Sequence, residues 1–293
     1  MASSVTVDTL LVPAAGLGTR MLPATKAFPK ELLPIVDRPI IQIGVEEAVR
    51  SGIRRIVLVT SPGNTLTESH FETDSALEAV LAERGKVELL AMVRALSTMA
   101  EVSSIPQPKP LGLGHAVLCG RDAAGDAPFA VMLPDDVIDA DPPALRQMLD
   151  VFAEVRNPVL LVEQVPRAAV HQYGIIAAEP VRDGVVRVTD LVEKPTPGEE
   201  PSDLAIIGRY ILTPDVFETI EATGAGAGGE IQLTDGLRQL LANRPIYACV
   251  LKGTRLDAGN KLGYLKATLH FAGKQPDLEP VLRAELKRLL GPV

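Results

Sequence analysis

Residues 9–31 read TLLVPAAGLGTRMLPATKAFPKE. The run from Thr9 to Ala14 is almost free of polar side chains, as expected of a strand buried on both faces of a parallel sheet. It leads directly into Ala15-Gly16-Leu17-Gly18, where missing Cβ atoms let backbone N–H groups approach an anion or a base closely. Between Asp8 and Glu31 there is no acidic residue, but Arg20, Lys26 and Lys30 are present. A buried strand that opens into a glycine-rich, cationic turn is suited to holding a polyphosphate.

Working outward, apolar runs alternate with amphipathic stretches. Pro39 to Ser51 predicts a helix, with Ile40, Ile41, Gly44, Val45, Ala48 and Val49 on one stripe and Gly52 beyond its end. Arg55 to Thr60 (RIVLVT) is the next strand, and Phe71 to Leu96 is largely helical with a break near Gly85. Glu101 to Ile105 is a weaker strand, Leu113 to Ala123 a helix, Phe129 to Leu133 (FAVML) a strand, Pro143 to Val155 a helix and Val159 to Val165 a strand. This order predicts an α/β fold with a doubly wound, mostly parallel sheet, helices on both faces, and a ligand site beyond the strand C-termini. After Arg167 the rhythm changes. Tyr173–Ala178, Val185–Val192 and Leu204–Leu212 are strand-like runs joined by short turns, so the sheet is expected to become mixed. Ala222 to Gly229 (ATGAGAGG) is a loop by composition, and Ile231–Ala242, Asn260–Phe271 and Leu278–Leu290 are helical. Without an internal repeat or a long linker, residues 1–293 are expected to form one domain.

The chain has 293 residues, 46% hydrophobic and 23% charged, which excludes a wholly disordered polypeptide. Lys+Arg total 29 and Asp+Glu 37, for a formal charge of −8, a poor balance for coating nucleic acid or an anionic membrane. No apolar run approaches the roughly 18–20 residues that span a bilayer. MASSVTVDTLLV has no basic leader region or signal core, so a cytoplasmic location is expected. Cys119 and Cys249 make neither a disulfide framework nor a zinc site and read as small buried apolar residues in a reducing compartment. His70, His115, His171 and His270 have no ligand spacing, and His115 reads as a first-turn helix residue.

Two common phosphate motifs fail. The dinucleotide fingerprint G-x-G-x-x-G fits Gly16 and Gly18 but meets Met21 third, and RIVLVTSPG supplies no ribose-binding acid. G-x-x-x-x-G-K-[ST] is absent. The longer pattern G-x-G-T-R-x-x-P-x-T…P-K is present, and AAGLGTRMLPATKAFPKELLP resembles the sugar-1-phosphate nucleotidylyltransferases, in their bacterial UTP–glucose-1-phosphate uridylyltransferase branch. The resemblance continues in family order through QPKPLGLGHA (107–116), LPDD (133–136), YGI (173–175), VEKP (192–195), IGRY (207–210), GEIQLTD (229–235) and LDAGNKLGY (256–264). Ala14-Ala15 stand where the wider family often has two glycines, a difference that points to the uridylyl branch.

The resemblance implies a Rossmann-like nucleotidyltransferase domain in which 8–166 bind the nucleotide, 167–259 bind the sugar, and 260–293 add helices available for oligomer contact. It implies attack by glucose 1-phosphate on the α-phosphorus of UTP, giving UDP-glucose and pyrophosphate. That nucleophile is already an anion, so neither a general base nor a covalent intermediate is needed, and positioning and electrostatics carry the rate. Cations are therefore the expected catalytic groups. Arg20 grips the triphosphate with its planar fork, Lys30 neutralises the α-phosphate or leaving group, and Lys194 holds the sugar phosphate. Lys26 lies on the same stretch as Lys30. Asp135 and Asp257 carry over as carboxylates for Mg²⁺, completed by phosphates, while Asp136 is an additional acid expected to cap or salt-bridge. Base recognition is assigned to the backbone at Ala15 and Gly16 and to Glu31, Gln107 and Gly112; a glutamine amide offers the donor and acceptor that uracil's edge requires. Glu193 and the backbone at Gly174 are assigned to the sugar hydroxyls, with Gly208 permitting close packing.

Alternatives stand beside this reading. A relative could prefer dTTP or another sugar phosphate, because one methyl group is worth only about 1–3 kcal/mol in an apolar pocket. A non-catalytic nucleotidyltransferase-like subunit is disfavoured by the joint presence of Arg20, Lys30, Asp135 and Lys194. An NAD-dependent oxidoreductase lacks both its third glycine and its ribose acid. The resemblance further implies a homodimer or homotetramer, and the stripe Leu278, Val281, Leu282, Leu286, Leu289 and Leu290 suits packing on the domain itself or on a partner.

Overall fold

The run Thr9–Ala14 forms strand β1, and all of it except Pro13 is buried. The computed structural model describes residues 6–226 and 229–291; positions 227–228 of the glycine-rich run and the side chain of Leu290 lie outside the described residues. Beyond β1, the short strands β2 (Pro34–Ile35) and β3 (Arg38–Pro39) precede helix α1 (Ile40–Arg50) and strand β4 (Arg55–Thr60). A short helix α2 (Leu66–Ser69) leads to a hairpin of α3 (Ser75–Glu83) and α4 (Val87–Thr98), then β5 (Glu101–Pro106). Next come α5 (Leu113–Cys119), α6 (Arg121–Ala124), β6 (Phe129–Met132), β7 (Asp136–Asp139), α7 (Ala144–Val155) and β8 (Val159–Gln164). The strand-rich part contains β9 (Gly174–Arg182), β10 (Val185–Glu193) and β11 (Leu204–Leu212). It is followed by α8 (Val216–Ala222), α9 (Leu233–Leu241), β12 (Tyr247–Val250), β13 (Thr254–Asp257), α10 (Lys261–Ala272) and α11 (Glu279–Leu290).

A nine-stranded mixed sheet in the order β5-β4-β1-β6-β11-β8-β12-β10-β9 organises the molecule. The β5-β4-β1-β6 side is parallel, and the later strands introduce the antiparallel pairings. Alternation along the strands feeds two cores. Leu10, Val12 and Leu58 pack with Ile41 and Val45 of α1 and Met148 of α7, whereas Leu11, Val57 and Val131 pack with Val117, Phe217 and Leu237 from α5, α8 and α9. Helices therefore cover both faces.

Register positions the site. Ala14 pairs with Thr60, and Thr60 with Pro106, so the strands β1, β4 and β5 end level. Their loops, starting at Ala15, Ser61 and Gln107, consequently open side by side. On the other flank, β7 and β13 form a separate two-stranded ribbon in which Asp136 pairs with Asp257. A register shift between Ile207 and Tyr210 marks a bulge in β11. There Arg209, only 1% exposed, pairs with the buried Glu47 at 2.8 Å and donates to the carbonyls of Leu133 and Gly208 at 3.1 and 3.0 Å. Removing one member of such a pair strands a buried charge, at a cost of about 3–5 kcal/mol.

Some elements differ from the sequence expectation. The helical stretch expected over 71–96 starts only at Ser75 and forms the α3–α4 hairpin, with the expected break where Gly85 adopts φ +64°. Residues 113–123 divide at Gly120 into α5 and α6. The helix expected from Ile231 starts at Leu233, because the Ile231 backbone instead bonds Leu111 O and Gly114 N, at 2.7 and 2.8 Å. Cys249 is buried, but Cys119 is only half-buried.

Candidate active site

Gly18 turns the chain with φ 61° into a short 3₁₀ turn, Thr19–Met21, and Thr25 Oγ1 closes the loop by donating to Gly18 O at 2.8 Å. Here glycine is required, since a Cβ would also lie 3.2 Å from Thr25 Cβ. The turn leaves the Arg20 side chain 62% exposed, with Nη2 3.7 Å from Asp135 Oδ2. Lys30 is more enclosed, and its Nζ donates to the same oxygen at 2.6 Å. Burial would lower the Lys30 ammonium, but Asp135 and Glu31 outweigh it and hold it above its ordinary range. For Asp135 burial acts upward, yet Lys30 and Arg20 keep the carboxyl below the usual range. Glu31 is sealed beneath Lys30 at 3.9 Å, and neither carboxylate oxygen has a hydrogen-bond partner. Burial pushes Glu31 up to about 7, against the pull of Lys30.

The acids converge across the β7–β13 ribbon. An ideal Cβ at Gly259 would stand 2.6 Å from Asp135 Oδ2, 3.0 Å from Asp257 Oδ1 and 2.9 Å from Arg20 Nη2. Absence of that Cβ leaves a small space lined by two carboxylates. Asp257 is oriented by Gly259 N and Asn260 Nδ2, each at 2.9 Å. Asp136 lies on the same wall but is already engaged: its Oδ1 accepts from Arg255 Nε at 2.6 Å and its Oδ2 from Gly208 N at 2.9 Å. The salt-bridging role expected for Asp136 is the one observed.

Two cavities flank this junction. The first, about 450 Å³, is lined by Arg20, Asp135, Gly174, Glu193, Lys194 and Asp257 among others. Glu193 Oε2 accepts from Thr234 Oγ1 at 2.7 Å, while Lys194 Nζ lies 3.5 Å from Glu193 Oε1. Lys194 holds a left-handed φ of 45°, and its N–H donates to Tyr173 O at 3.0 Å. A Cβ on Gly174 would press to 3.0 Å of Thr234 Oγ1 and 3.1 Å of Glu193 Oε2, so the glycine keeps that corner open. The second cavity, about 360 Å³, lies against Gly16, Lys26, Phe28, Lys30, Ser61 and Asn64. Ala15 is buried beside it and Gly16 is exposed. At Gly16 the nearest atom to a Cβ would be Lys30 Cε at 3.9 Å, so the protein's own packing leaves room for a methyl group.

Gln107 is buried at the end of β5, donating through Nε2 to Gly112 O at 3.2 Å and meeting His115 Nδ1 at 3.0 Å. His115 does lie in the first turn of α5. Gly112, with φ +102°, packs so closely on Glu230 and Ile231 that a Cβ would approach both at 2.8 Å.

A divalent cation fits this chemistry. The wall of the larger cavity carries Asp135, Asp136, Glu193, Glu230 and Asp257 against Arg20, Lys194 and Arg255, an acidic excess of two charges. Among the described residues no group of three or more His, Cys, Asp or Glu side chains is arranged to hold a metal. Asp135 and Asp257 would thus supply part of a shell that phosphate oxygens and water complete, as is usual for Mg²⁺.

A sequence model of the family described as nucleotidyl transferase matches residues 10–273. The chain belongs to the nucleotidyl transferase family. This nucleotidyl transferase is 46% identical over 280 residues to the UTP–glucose-1-phosphate uridylyltransferase of Bacillus subtilis (strain 168), with 96% of each chain covered. Its fold matches a UDP-glucose pyrophosphorylase complexed with UDP-glucose at a TM-score of 0.84 and 39% identity, over 92% of this chain and 100% of that one. It also matches a UTP-bound UGPase from Acinetobacter baumannii at a TM-score of 0.86 and 38% identity, over 97% and 99% of the two chains.

Within the nucleotidyl transferase, Arg20, Lys30, Asp135 and Asp257 come together at one point, and Lys194, Glu193 and Gly174 line the adjoining cavity. Ala15, Gly16 and Gln107 lie at neighbouring strand ends, with Glu31 enclosed below Lys30. Sequence reasoning assigned no role to Arg255, Thr234, Ser61 or Asn64. Thr234 was legible only as part of GEIQLTD; the others carried no local signal.

Proposed function

We propose that the chain transfers UMP from UTP to α-D-glucose 1-phosphate, forming UDP-glucose and pyrophosphate by direct in-line displacement. The observation that carries this reading is the meeting of two cavities at the Lys30–Asp135 pair. Lys30 lines one, Asp135 lines the other, and the two side chains are 2.6 Å apart. A nucleotide in the smaller cavity and a sugar phosphate in the larger would present the α-phosphorus and its attacking oxygen at that pair.

Arg20, on an exposed turn, grips the departing phosphates, and Lys30 offsets charge at the α-phosphate. Lys194 orients the sugar phosphate and Glu193 accepts from sugar hydroxyls beside Gly174. Ala15, Gly16, Gln107 and Gly112 form the base and ribose side, with Glu31 enclosed behind them beneath Lys30. Asp135 and Asp257 hold Mg²⁺, which when bound offsets phosphate charge as a Lewis acid. The relatives' names and the UTP and UDP-glucose complexes support the substrates in this reading. We place the enzyme in the cytoplasm, where UTP and sugar phosphates are made. Among the described residues no helix is long and apolar enough to cross a membrane. A homodimer or homotetramer is supported by the α3–α4 hairpin, which buries none of its residues within the chain and exposes Val80, Val87, Leu89 and Met92. Val281 and Leu289 of α11 are exposed as well.

Pyrophosphate release with Mg²⁺, glucose 1-phosphate and each of UTP, dTTP, CTP, ATP and GTP tests the assignment, with Asp135→Ala as control. Turnover is expected with UTP well above the others and lost in the control. A dTTP preference would overturn the base assignment, and no turnover by folded, UTP-binding protein would overturn the catalytic one.

A further inference from the structure

Arg255 lies on β13 two residues before Asp257, and its partner Asp136 follows Asp135 directly in the chain. Its side chain is only 9% exposed. Nε and Nη2 both address Asp136 Oδ1, at 2.6 and 2.5 Å, while Asp136 Oδ2 is occupied by Gly208 N. The guanidinium is fixed further by the Tyr173 ring, 5.1 Å to its centroid, by the Tyr173 hydroxyl at 3.3 Å and by Glu163 at 3.8 Å. None of the roles assigned above uses this pair.

We propose that Arg255 and Asp136 form a positioning pair for the divalent cation, fixing the separation of the Asp135 and Asp257 carboxylates and withholding the third carboxylate from the metal. The proposal rests on the reading of Asp135 and Asp257 as the metal-holding acids. The β7–β13 ribbon has four residue pairs, and its last, Asp136 with Asp257, ends at the site where fraying would move both acids. The ion pair ties that end shut. Asp136 also shares the cavity wall with Asp135, so without Arg255 it would compete for the cation. Two guanidinium N–H groups on Oδ1, with Gly208 N on Oδ2, hold the carboxylate in one orientation, and a lysine cannot reproduce the paired contact on Oδ1. Groups of this kind set the affinity of the ligands they support.

Mn²⁺ titrated into the full chain saturated with UDP-glucose, followed by electron paramagnetic resonance, tests the pair. Arg255→Lys is expected to weaken Mn²⁺ binding to the UDP-glucose-saturated protein by roughly tenfold or more. Adding Asp136→Asn to Arg255→Lys is expected to recover only part of the loss, because the competing carboxylate is gone while the ribbon end stays untied; full recovery would overturn the positioning role. Parent-like Mn²⁺ affinity in Arg255→Lys, with only a lowered Tm, would overturn the proposal and leave Arg255 a fold-stabilising residue. Absence of recovery in the double variant would overturn the withholding role. Asp135→Asn separates the two levels: if it leaves Mn²⁺ binding intact, the metal reading itself fails. If it abolishes binding while Arg255→Lys changes nothing, only the positioning pair fails.

Discussion

The Gly16–Lys30 rim and the Leu133–Asp136 floor touch through two ion pairs on one carboxylate, Lys30–Asp135 and Arg20–Asp135, but their construction differs. The rim is a chain of short 3₁₀ turns, Thr19–Met21, Ala24–Lys26 and Lys30–Leu32, with Arg20 largely in solvent. The floor is tied by buried guanidinium groups: Arg209 bonds the Leu133 carbonyl, and Arg255 bonds Asp136. Arg20, which must follow departing phosphates, is mounted in solvent, whereas Lys30 is enclosed and anchored on Asp135. Acids that must keep a fixed separation are mounted where they cannot move. Substitutions in the two regions should therefore fail in different ways.

The largest effect is expected in the floor. Asp135→Asn should lower kcat by on the order of 10²–10³-fold, as loss of a group facing developing charge does, measured by pyrophosphate release. Gly259→Ala comes next. The three atoms nearest its Cβ would be the ends of the Asp135, Arg20 and Asp257 side chains, at 2.6, 2.9 and 3.0 Å, so these groups must give way. Mn²⁺ affinity should drop by roughly 10–100-fold, with a lowered Tm as the fixed acids are forced apart. Arg20→Lys, in the rim, should reduce kcat by about tenfold without altering stability, since charge remains but the fork is lost. A loss as large as that of Asp135→Asn would erase the distinction between rim and floor. The smallest effect is expected from Gly16→Ala, where the protein leaves space for the methyl group. Weaker UTP binding by calorimetry, at parent Tm, would sharpen the reading of Gly16 as a site of close ligand approach; unchanged binding would remove it.

The rim was far more legible in the sequence than the floor. Leu10–Ala14 and the IVLV of 56–59 are continuous apolar runs, so their strands and the cationic turn after the first could be read directly. The ribbon strands DVID and TRLD are four residues long and half charged, and no periodicity marks them. Arg255 meets Asp136 across 119 residues and Arg209 meets Glu47 across 162, distances over which local pattern carries no information. Asp135 and Asp257 were found by resemblance, and the cradle at Gly259 that joins them became visible only in three dimensions. Gly112 was expected to make room for a base, yet its own crowding against Glu230 and Ile231 already demands a glycine.

Direct displacement, with charges positioned around an existing nucleophile, is the central claim. It is tested most directly by the stereochemistry of transfer from UTP carrying a chiral α-phosphorothioate to glucose 1-phosphate. A single in-line step predicts inversion at phosphorus in the UDP-glucose analogue. Retention would require two successive displacements through a uridylylated residue, and would contradict the account.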